Sequence, residues 1–256
     1  MKTSVAIITG ASQGIGRATA LRLAKDFSSL VLAARNGEAL LETADLVKQA
    51  GAEALPLPLD LREPATAKAL VDGALKQFGR IDALVNIAGA VPQIDILEMT
   101  DAQWDDGLAL KLHGARRITV LAWNALKEAK GSVVFMSGNS AQAPKSAYGA
   151  VATINAAIVA LARAFAERGV KDRVQVNSVL PGPVLTNRRK AYMEKYAPAH
   201  NMTFDEAMKK FPEQAGISRY GQPEEIAELM AFLVSPQAQW MTGSAVRMDG
   251  GEIKGV

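Results

Sequence analysis

The chain of 256 residues contains no cysteine. This absence excludes disulfides and thiolate metal sites, and it suits a reducing compartment, so we expect a cytoplasmic protein. Only two histidines occur, His113 and His200, and neither has a partner at metal-ligand spacing, so we predict no metal site. No uninterrupted apolar run reaches the roughly 18 to 20 residues that cross a bilayer, and we therefore expect no membrane partner.

A strong excess of one charge is also lacking. The chain has 29 Lys and Arg against 26 Asp and Glu, and the basic residues form no dense stripe, so we expect no nucleic-acid partner. A hydrophobic content of 49% is ordinary for a globular protein with one full core. Without a repeat, a low-complexity tract or a linker, the sequence predicts a single domain over residues 1–256.

Short β-branched segments alternate with longer helical ones along the chain. Strands separated by helices must pair in parallel, since a parallel crossover needs a helix-sized connection. This alternation predicts an α/β fold with a doubly wound parallel sheet, the Rossmann fold. Predicted strands cover 5–9, 30–34, 54–59, 83–86, 132–136, 174–179 and 245–248, and predicted helices cover 17–25, 38–50, 65–78, 101–126 and 148–167. A polar, helix-prone insertion at 187–218 follows the sixth strand, where we expect a substrate lid.

A glycine-rich turn follows the first predicted strand, with the sequence Thr9-Gly10-Ala11-Ser12-Gln13-Gly14-Ile15-Gly16. Glycines let the backbone turn sharply, and the free N–H groups and dipole of the following helix favour a diphosphate. A glycine triplet alone also fits a purely structural turn. The strand-turn-helix context favours dinucleotide binding.

The spacing of these glycines, TGxxxGxG, resembles that of the short-chain dehydrogenase/reductase family. Further segments extend the resemblance along the chain: Asn86-Ile87-Ala88-Gly89, residues 177–186, residues 219–225 and residues 242–251. The resemblance implies a nicotinamide cofactor and an oxidoreductase acting on a small carbonyl, alcohol or activated alkene. With the turn, it predicts cofactor contacts at Gly10, Ser12, Gln13, Gly14, Ile15, Gly16, Asp60, Leu61, Asn86, Ala88, Gly89, Pro181, Gly182, Val184 and Thr186.

The end of the second predicted strand bears on the choice of cofactor. Dinucleotide folds specific for NAD(H) place an acidic residue there against the ribose 2′-hydroxyl. This chain has Ala33-Ala34-Arg35 instead, and a guanidinium offers a 2′-phosphate a charge-assisted fork. We therefore expect NADP(H), with NAD(H) as the alternative if Arg35 is only a solvated surface residue.

The residues at the family's catalytic positions differ from the usual ones. Alignment of the helix around Ala156-Ala157 places Val151 at the usual tyrosine and Asn155 at the usual lysine. Gly138 stands at the usual serine, and Lys111 stands at the usual asparagine. A tyrosine of pKa near 10 needs a neighbouring ammonium to act at neutral pH, and Asn155 cannot supply that charge.

A relocated catalytic set is one interpretation. Lys111 and Asn155 have exchanged residue types, and the resemblance implies that these positions face one another across the substrate cavity. Tyr148 precedes Asn155 by seven residues, so a continuous helix would nearly eclipse the two. We therefore predict a set of Lys111, Tyr148 and Asn155, with Ser137 or Ser140 as polar help.

Simpler alternatives remain for these residues and for the whole chain. Lys111 also fits an ordinary surface lysine, Tyr148 fits a packing residue at a helix start or a subunit contact, and the serines fit hydrogen-bonded loop positions. The whole chain also fits a catalytically inactive dinucleotide-binding protein, a sensor or an inert subunit. The lid cations Arg188, Arg189 and Lys190 fit either a solvated helix face or attraction of an acidic substrate. Two strongly apolar predicted helices, at 101–126 and 148–167, favour a homotetramer, with a homodimer as the alternative.

Overall fold

Residues 4–255 are described by a computed structural model. The strands are β1 (Val5–Thr9), β2 (Ser29–Ala34), β3 (Glu53–Pro58), β4 (Ala83–Asn86), β5 (Ser132–Met136), β6 (Gln175–Pro181) and β7 (Ala245–Met248). The α-helices are α1 (Gly14–Leu23), α2 (Gly37–Gln49), α3 (Pro64–Phe78), α4 (Asp101–Gly107), α5 (Ala115–Ala129), α6 (Gly149–Asp172), α7 (Asn187–Ala199), α8 (Phe204–Gln214) and α9 (Pro223–Leu233). A π-helical segment, Leu108–Gly114, joins α4 to α5.

The seven strands form one parallel sheet in the order β3-β2-β1-β4-β5-β6-β7. The central strands are buried on both faces, which explains their continuous apolar sequences, for example Val-Ala-Ile-Ile in β1. The strand order reverses between β1 and β4. A ligand of such a sheet binds beyond the carboxyl ends of the strands at this point. The predicted α/β fold with a doubly wound parallel sheet, the Rossmann fold, is confirmed.

Helices cover both faces of the sheet. One core packs α1, α2 and α9 on one face, centred on residues such as Ile8, Leu32 and Met230. The other core packs α3, α5 and α6 on the opposite face, around Ile7 and Phe135. The result is a three-layer molecule. Because helices cover both faces of the sheet, a ligand site is expected at the ends of the strands.

The long apolar segment Ser146–Asp172 is the one stretch within residues 4–255 that has the length and composition of a membrane span. Its residues Ile158, Ala162 and Ala166 are buried against the sheet in the second core. We therefore assign it as a core helix of the fold.

Several elements differ from the sequence prediction in their bounds, and two of the differences lie beside the site. The predicted helix at 148–167 begins one residue later, because Tyr148 (φ −150°, ψ 41°) closes a short 3₁₀ turn and precedes α6. Tyr148 and Asn155 are therefore not eclipsed on one continuous helix, as the spacing had predicted. The predicted helix at 101–126 is interrupted by the wider π-helical segment, a distortion that apolar periodicity does not reveal.

The insertion between β6 and α9 forms the helix pair α7 and α8. Both helices begin with a threonine cap, Thr186 and Thr203, whose hydroxyl accepts a hydrogen bond from a first-turn backbone N–H. The pair has a small core of its own, made by Met193, Ala197 and Ala207. The pair is thus a compact unit placed beyond the carboxyl end of β6.

Candidate active site

The glycine-rich turn after β1 forms a tightly packed cradle. Gly10 and Gly14 have φ angles of 71° and 54°, which favour glycine. A Cβ on Gly16 would lie 2.0 Å from the carbonyl oxygen of Gly10, so no other residue fits this turn. The side chain of Thr9 accepts hydrogen bonds from the backbone N–H groups of Ile87 and Ala88, both at 3.0 Å, and so fixes the loop after β4 beside the turn.

The start of α1 is free to bind an anion. Gln13 precedes the helix without capping it, and the first turn contains no acidic residue, so its N–H groups lack side-chain acceptors. A Cβ on Gly14 would lie 3.3 Å from Thr186 Cγ2, which shows how closely the turn approaches the segment after β6. A glycine cradle at an uncapped helix start fits the diphosphate of a dinucleotide.

A cavity of about 790 Å³ extends from this turn across the carboxyl ends of the strands. The predicted cofactor residues that line it are Gly10, Ser12, Gln13, Gly14, Ile15, Gly16, Arg35, Asp60, Leu61, Ala88, Gly89, Pro181, Gly182, Val184 and Thr186. Asn86 does not line it. Its buried amide instead donates to Thr119 Oγ1 at 3.3 Å, so its position is behind the cavity wall.

The far end of the cavity carries Arg35, at the end of β2. Its side chain is 73% exposed, and its nearest anion is the carboxylate of Asp60 at 3.9 Å. Asp60 is closer to Arg62, at 3.2 Å, so in the part of the chain that the structure describes the guanidinium of Arg35 has no close partner of its own. The cationic group that was expected to meet a 2′-phosphate thus borders the cavity.

A larger cavity, of about 1410 Å³, lies at the opposite edge of the sheet. It is lined by residues just before or at the starts of the strands, including Ser4, Asp82 and Gln175. Ligands of doubly wound sheets bind at the carboxyl edge, so the smaller cavity is the candidate site.

Lys111 enters the candidate site from the π-helical segment. Its aliphatic stem crosses Gly89, where an added Cβ would lie 3.0 Å from Lys111 Cδ. The stem therefore depends on a glycine in the loop after β4. From there the ammonium reaches the end of β5, on the other side of the cavity.

The Lys111 ammonium has two protein acceptors. It donates to the carbonyl oxygen of Ser137 at 3.0 Å and to Asn155 Oδ1 by a short contact. The amide of Asn155 in turn donates to Ser140 Oγ at 2.8 Å, which fixes its orientation. An ammonium has three donors, so two are used and one remains for the cavity that Lys111 lines.

Burial, and to a smaller extent the positive charge of Arg188, lower the pKa of Lys111 to about 7. Neither of its acceptors, a carbonyl and an amide oxygen, carries a negative charge to oppose this effect. The pKa of Lys111 is thus close to neutrality, well below that of an ordinary lysine.

Gly138 makes room for Asn155. A Cβ on Gly138 would lie 2.6 Å from Asn155 Nδ2, inside van der Waals contact. The small residue after β5 and the amide on α6 are therefore complementary. Together they allow the amide to reach Lys111.

The chain is similar to known proteins over nearly its whole length. Residues 10–252 match the family described as enoyl-(acyl carrier protein) reductase. The short-chain reductase protein NovJ of Streptomyces niveus is 32% identical over 251 residues, which cover 97% of this chain and 93% of that protein.

The chain belongs to the short-chain dehydrogenase/reductase family.

Solved members of the family share the whole fold. L-sorbose reductase of Gluconobacter frateurii, complexed with NADPH and L-sorbose, superimposes with a TM-score of 0.94 at 28% identity and covers 100% of this chain and 98% of its own. A variant of actinorhodin polyketide ketoreductase with NADPH gives a TM-score of 0.93 at 29% identity and covers 98% and 97%. The resemblance predicted from the motifs is therefore confirmed at full length.

The predicted catalytic residues of this short-chain dehydrogenase/reductase are only partly brought together. Lys111, Ser137 and Asn155 line the cavity, and Ser140 supports Asn155 from behind. The hydroxyl of Ser137 donates to the backbone oxygen of Asn155 at 2.8 Å, so it holds α6 against β5. Tyr148 lies apart from this group, at the start of α6, and within residues 4–255 it has no side-chain hydrogen bond to Lys111 or Asn155.

The helix α7 supplies several cavity residues whose individual roles the sequence did not predict. Arg188 donates from Nη1 to the carbonyl oxygen of Gly89 at 3.0 Å and from Nη2 to that of Val91 at 2.7 Å. These bonds fasten α7 to the loop after β4. Arg189 and Tyr192 also line the cavity. The cluster of cations in the sequence indicated that this part of the chain could matter. Which of these cations point into the cavity depends on the rotation of α7 about its axis, which the structure shows.

Proposed function

We propose that this protein is an NADP(H)-dependent oxidoreductase that reduces a small carbonyl compound, with Lys111 as the proton donor. One observation carries the proposal: Lys111 lines the cavity beyond the glycine-rich turn, and two of the three N–H donors of its ammonium are fixed by protein acceptors. The burial that lowers its pKa to about 7 supports the same role. An alcohol substrate for the reverse reaction and an activated alkene are the alternatives within the same chemistry.

The pKa of Lys111 suits the task. A general acid works best when its pKa is close to the operating pH, since it is then both protonated and willing to release its proton. Tyr148 is the other donor that the sequence predicted. Burial and the charge of Glu252 raise the pKa of Tyr148 above its ordinary value of 10, which makes it a weaker acid at neutral pH. Lys111 is therefore our first candidate.

The neighbours of Lys111 act as positioning residues. Asn155 and the carbonyl of Ser137 orient the ammonium, Ser140 orients Asn155, and Gly138 leaves space for it. Bound NADPH would supply a hydride to the carbonyl carbon. Lys111 gives a proton to the carbonyl oxygen in the same reaction, so that the products are an alcohol, NADP⁺ and a neutral lysine that regains its proton from water.

The cofactor preference rests on Arg35. A guanidinium without a close partner at the end of β2 supports NADPH over NADH. Two solved relatives were crystallised with NADPH, which supports the same choice.

Turnover by this chain is tested with a panel of aldehydes, ketones and enones, by following NADPH absorbance. We expect activity that falls at least tenfold in Lys111→Met and less than threefold in Tyr148→Phe. A comparable loss of activity in both variants would contradict Lys111 as the sole proton donor, and would indicate that Lys111 and Tyr148 act together. Tight NADPH binding without turnover on any member of the panel would favour the alternative, a catalytically inactive dinucleotide-binding protein.

Three broader features belong to this proposal. The helix pair α7–α8 acts as a lid over the substrate, and the part of the insertion that follows it, up to residue 218, belongs to the same unit. The protein assembles as a homotetramer or homodimer, supported by the exposed apolar residues Val120 and Leu121 on α5. A cytoplasmic location agrees with the lack of cysteine.

A further inference from the structure

Arg189 is held in the cavity by aromatic rings. Its guanidinium carbon lies 5.3 Å from the centre of the Tyr192 ring and 5.0 Å from that of Phe211. Contacts of this kind fix a guanidinium without using its N–H donors. Arg189 and Tyr192 line the cavity, so the fixed guanidinium borders the space that a substrate occupies.

The donors of Arg189 have no acceptor. Within residues 4–255 its side chain forms neither a hydrogen bond nor an ion pair, and only its backbone N–H is bonded, to Thr186. Its neighbour Arg188 differs, because both of its terminal nitrogens donate to backbone carbonyls. Burial lowers the pKa of Arg189, because it disfavours the charged guanidinium. A bound anion would offset this desolvation cost.

Among residues 4–255, no carboxylate fills this role. Glu252 lies close enough to act on Arg189 through its charge, yet it does not come within ion-pair distance, and it accepts a hydrogen bond from Asn139 at 2.5 Å. Asp60 is the single carboxylate residue among those that line the cavity, and it pairs with Arg62 at the adenosine end. The lid end is therefore positive.

We propose that the substrate of this enzyme is a carbonyl compound that carries an oxyanion group, a carboxylate or a phosphate ester, and that Arg189 binds this group. The inference rests on the proposed function, because it assumes that the carbonyl oxygen is placed at Lys111. A planar guanidinium can hold an oxyanion through two parallel hydrogen bonds. Arg189 thereby selects the substrate, while Lys111 takes part in the reaction.

Matched substrate pairs test the inference. We would compare 4-oxopentanoate with its methyl ester, 4-formylbenzoate with its methyl ester, and dihydroxyacetone phosphate with dihydroxyacetone. In the wild type, kcat/KM for the charged member is expected to exceed that of the neutral member by about 10- to 100-fold, the range of a hydrogen bond to a charged group. The pair with the larger ratio identifies carboxylate or phosphate as the ligand.

Variants of one helix provide the controls. Arg189→Met should remove the preference for the charged member and change kcat/KM for neutral members less than threefold. Arg189→Lys, which keeps the charge, should retain part of the preference and guards against a folding defect in the first variant. Lys190→Met removes an exposed cation that is next to Arg189 in sequence. It should leave the preference for the charged member and kcat/KM for the neutral member unchanged. An equal effect of Lys190→Met would overturn the inference in favour of general steering by charge.

A binding measurement separates failure of the inference from failure of the proposed function. Calorimetry would follow 4-oxopentanoate binding to the NADP⁺-loaded protein. Binding that depends on Arg189, without any turnover, supports the oxyanion site and contradicts the reductase. Turnover of neutral carbonyls with no preference for charge supports the reductase and overturns the oxyanion site.

The cofactor itself is the rival ligand for Arg189. If the affinity for NADPH falls tenfold in Arg189→Met while the charged-to-neutral ratio stays constant, the guanidinium serves the cofactor and the inference fails.

Discussion

The pH dependence of reduction follows directly from the environment of Lys111. A proton donor with a pKa of about 7 is almost fully protonated at pH 6 and about 1% protonated at pH 9. We therefore expect kcat/KM for the carbonyl substrate, measured at saturating NADPH, to be constant well below the midpoint. Between pH 6 and pH 9 it should fall roughly 10-fold for a midpoint near 8 and roughly 90-fold for a midpoint near 7. The negative charge of a bound dinucleotide favours the ammonium, so the midpoint in this assay should lie between about 7 and 8.

The matched variant for this assay is Asn155→Asp. Aspartate has the shape of asparagine, and Ser140 can turn its hydroxyl to donate to the new carboxylate. An anion in contact with the ammonium favours the charged form and should raise the pKa of Lys111 by about 1 to 3 units. The break in the pH profile should move upward by the same amount, while the plateau at low pH stays within about tenfold.

Stopped-flow absorbance at 340 nm over pH 5.5 to 10 gives the profile for both proteins. A wild-type rate that stays constant up to pH 9 would refute the reasoning, because the donor would then have the pKa of an ordinary lysine or a tyrosine. An unshifted break in Asn155→Asp would show that the titrating group is not Lys111.

The remaining predictions concern the cofactor, the turn and stability. Arg35→Ser should weaken NADPH binding about tenfold and NADH binding less than threefold, as measured by fluorescence titration, and an equal effect on both would contradict a contact with the 2′-phosphate. Gly16→Ala should abolish NADPH binding in calorimetry, because its Cβ would overlap the Gly10 oxygen, and wild-type affinity would show that the turn is not the cradle. Gly138→Ala should lower the free energy of unfolding in urea by about 1 kcal/mol in the wild type. In an Asn155→Ala background, where the clashing amide is gone, the same substitution should cost almost nothing. Equal costs in the two backgrounds would show that Gly138 and Asn155 are not coupled. Because the pKa of Lys111 is lower in the folded state than in the unfolded one, the unfolded chain binds more protons between pH 7 and 10, and stability should rise with pH there. The wild type should therefore gain about 2 kcal/mol of unfolding free energy over Lys111→Met between pH 7 and pH 9, and a constant difference would contradict the lowered pKa.

The fold could be predicted from the sequence because its signals are local and repeated. Each strand is a short apolar run, and each crossover is a helix long enough to require parallel pairing. The glycine turn could be placed for the same reason, since its function depends on three residues close together in the chain.

The arrangement of the candidate site was only partly predictable. The family resemblance implied that Lys111 and Asn155 face each other, and the structure brings them into contact. The π-helical segment that carries Lys111 leaves the apolar pattern almost unchanged, and the 3₁₀ turn at Tyr148 depends on packing at the start of α6. The placement of Arg189 depends on aromatic residues from two helices, Tyr192 on α7 and Phe211 on α8, that no single motif connects.

The most direct test of the account is the pKa of Lys111 itself in the NADP⁺-bound protein. A ¹³C NMR titration of lysine ε-carbons, with Lys111→Met to identify the resonance, would measure it without any substrate. We predict a midpoint between about 7 and 8. A midpoint near 10.5, the value of a lysine in water, would contradict the claim that this side chain is the proton donor.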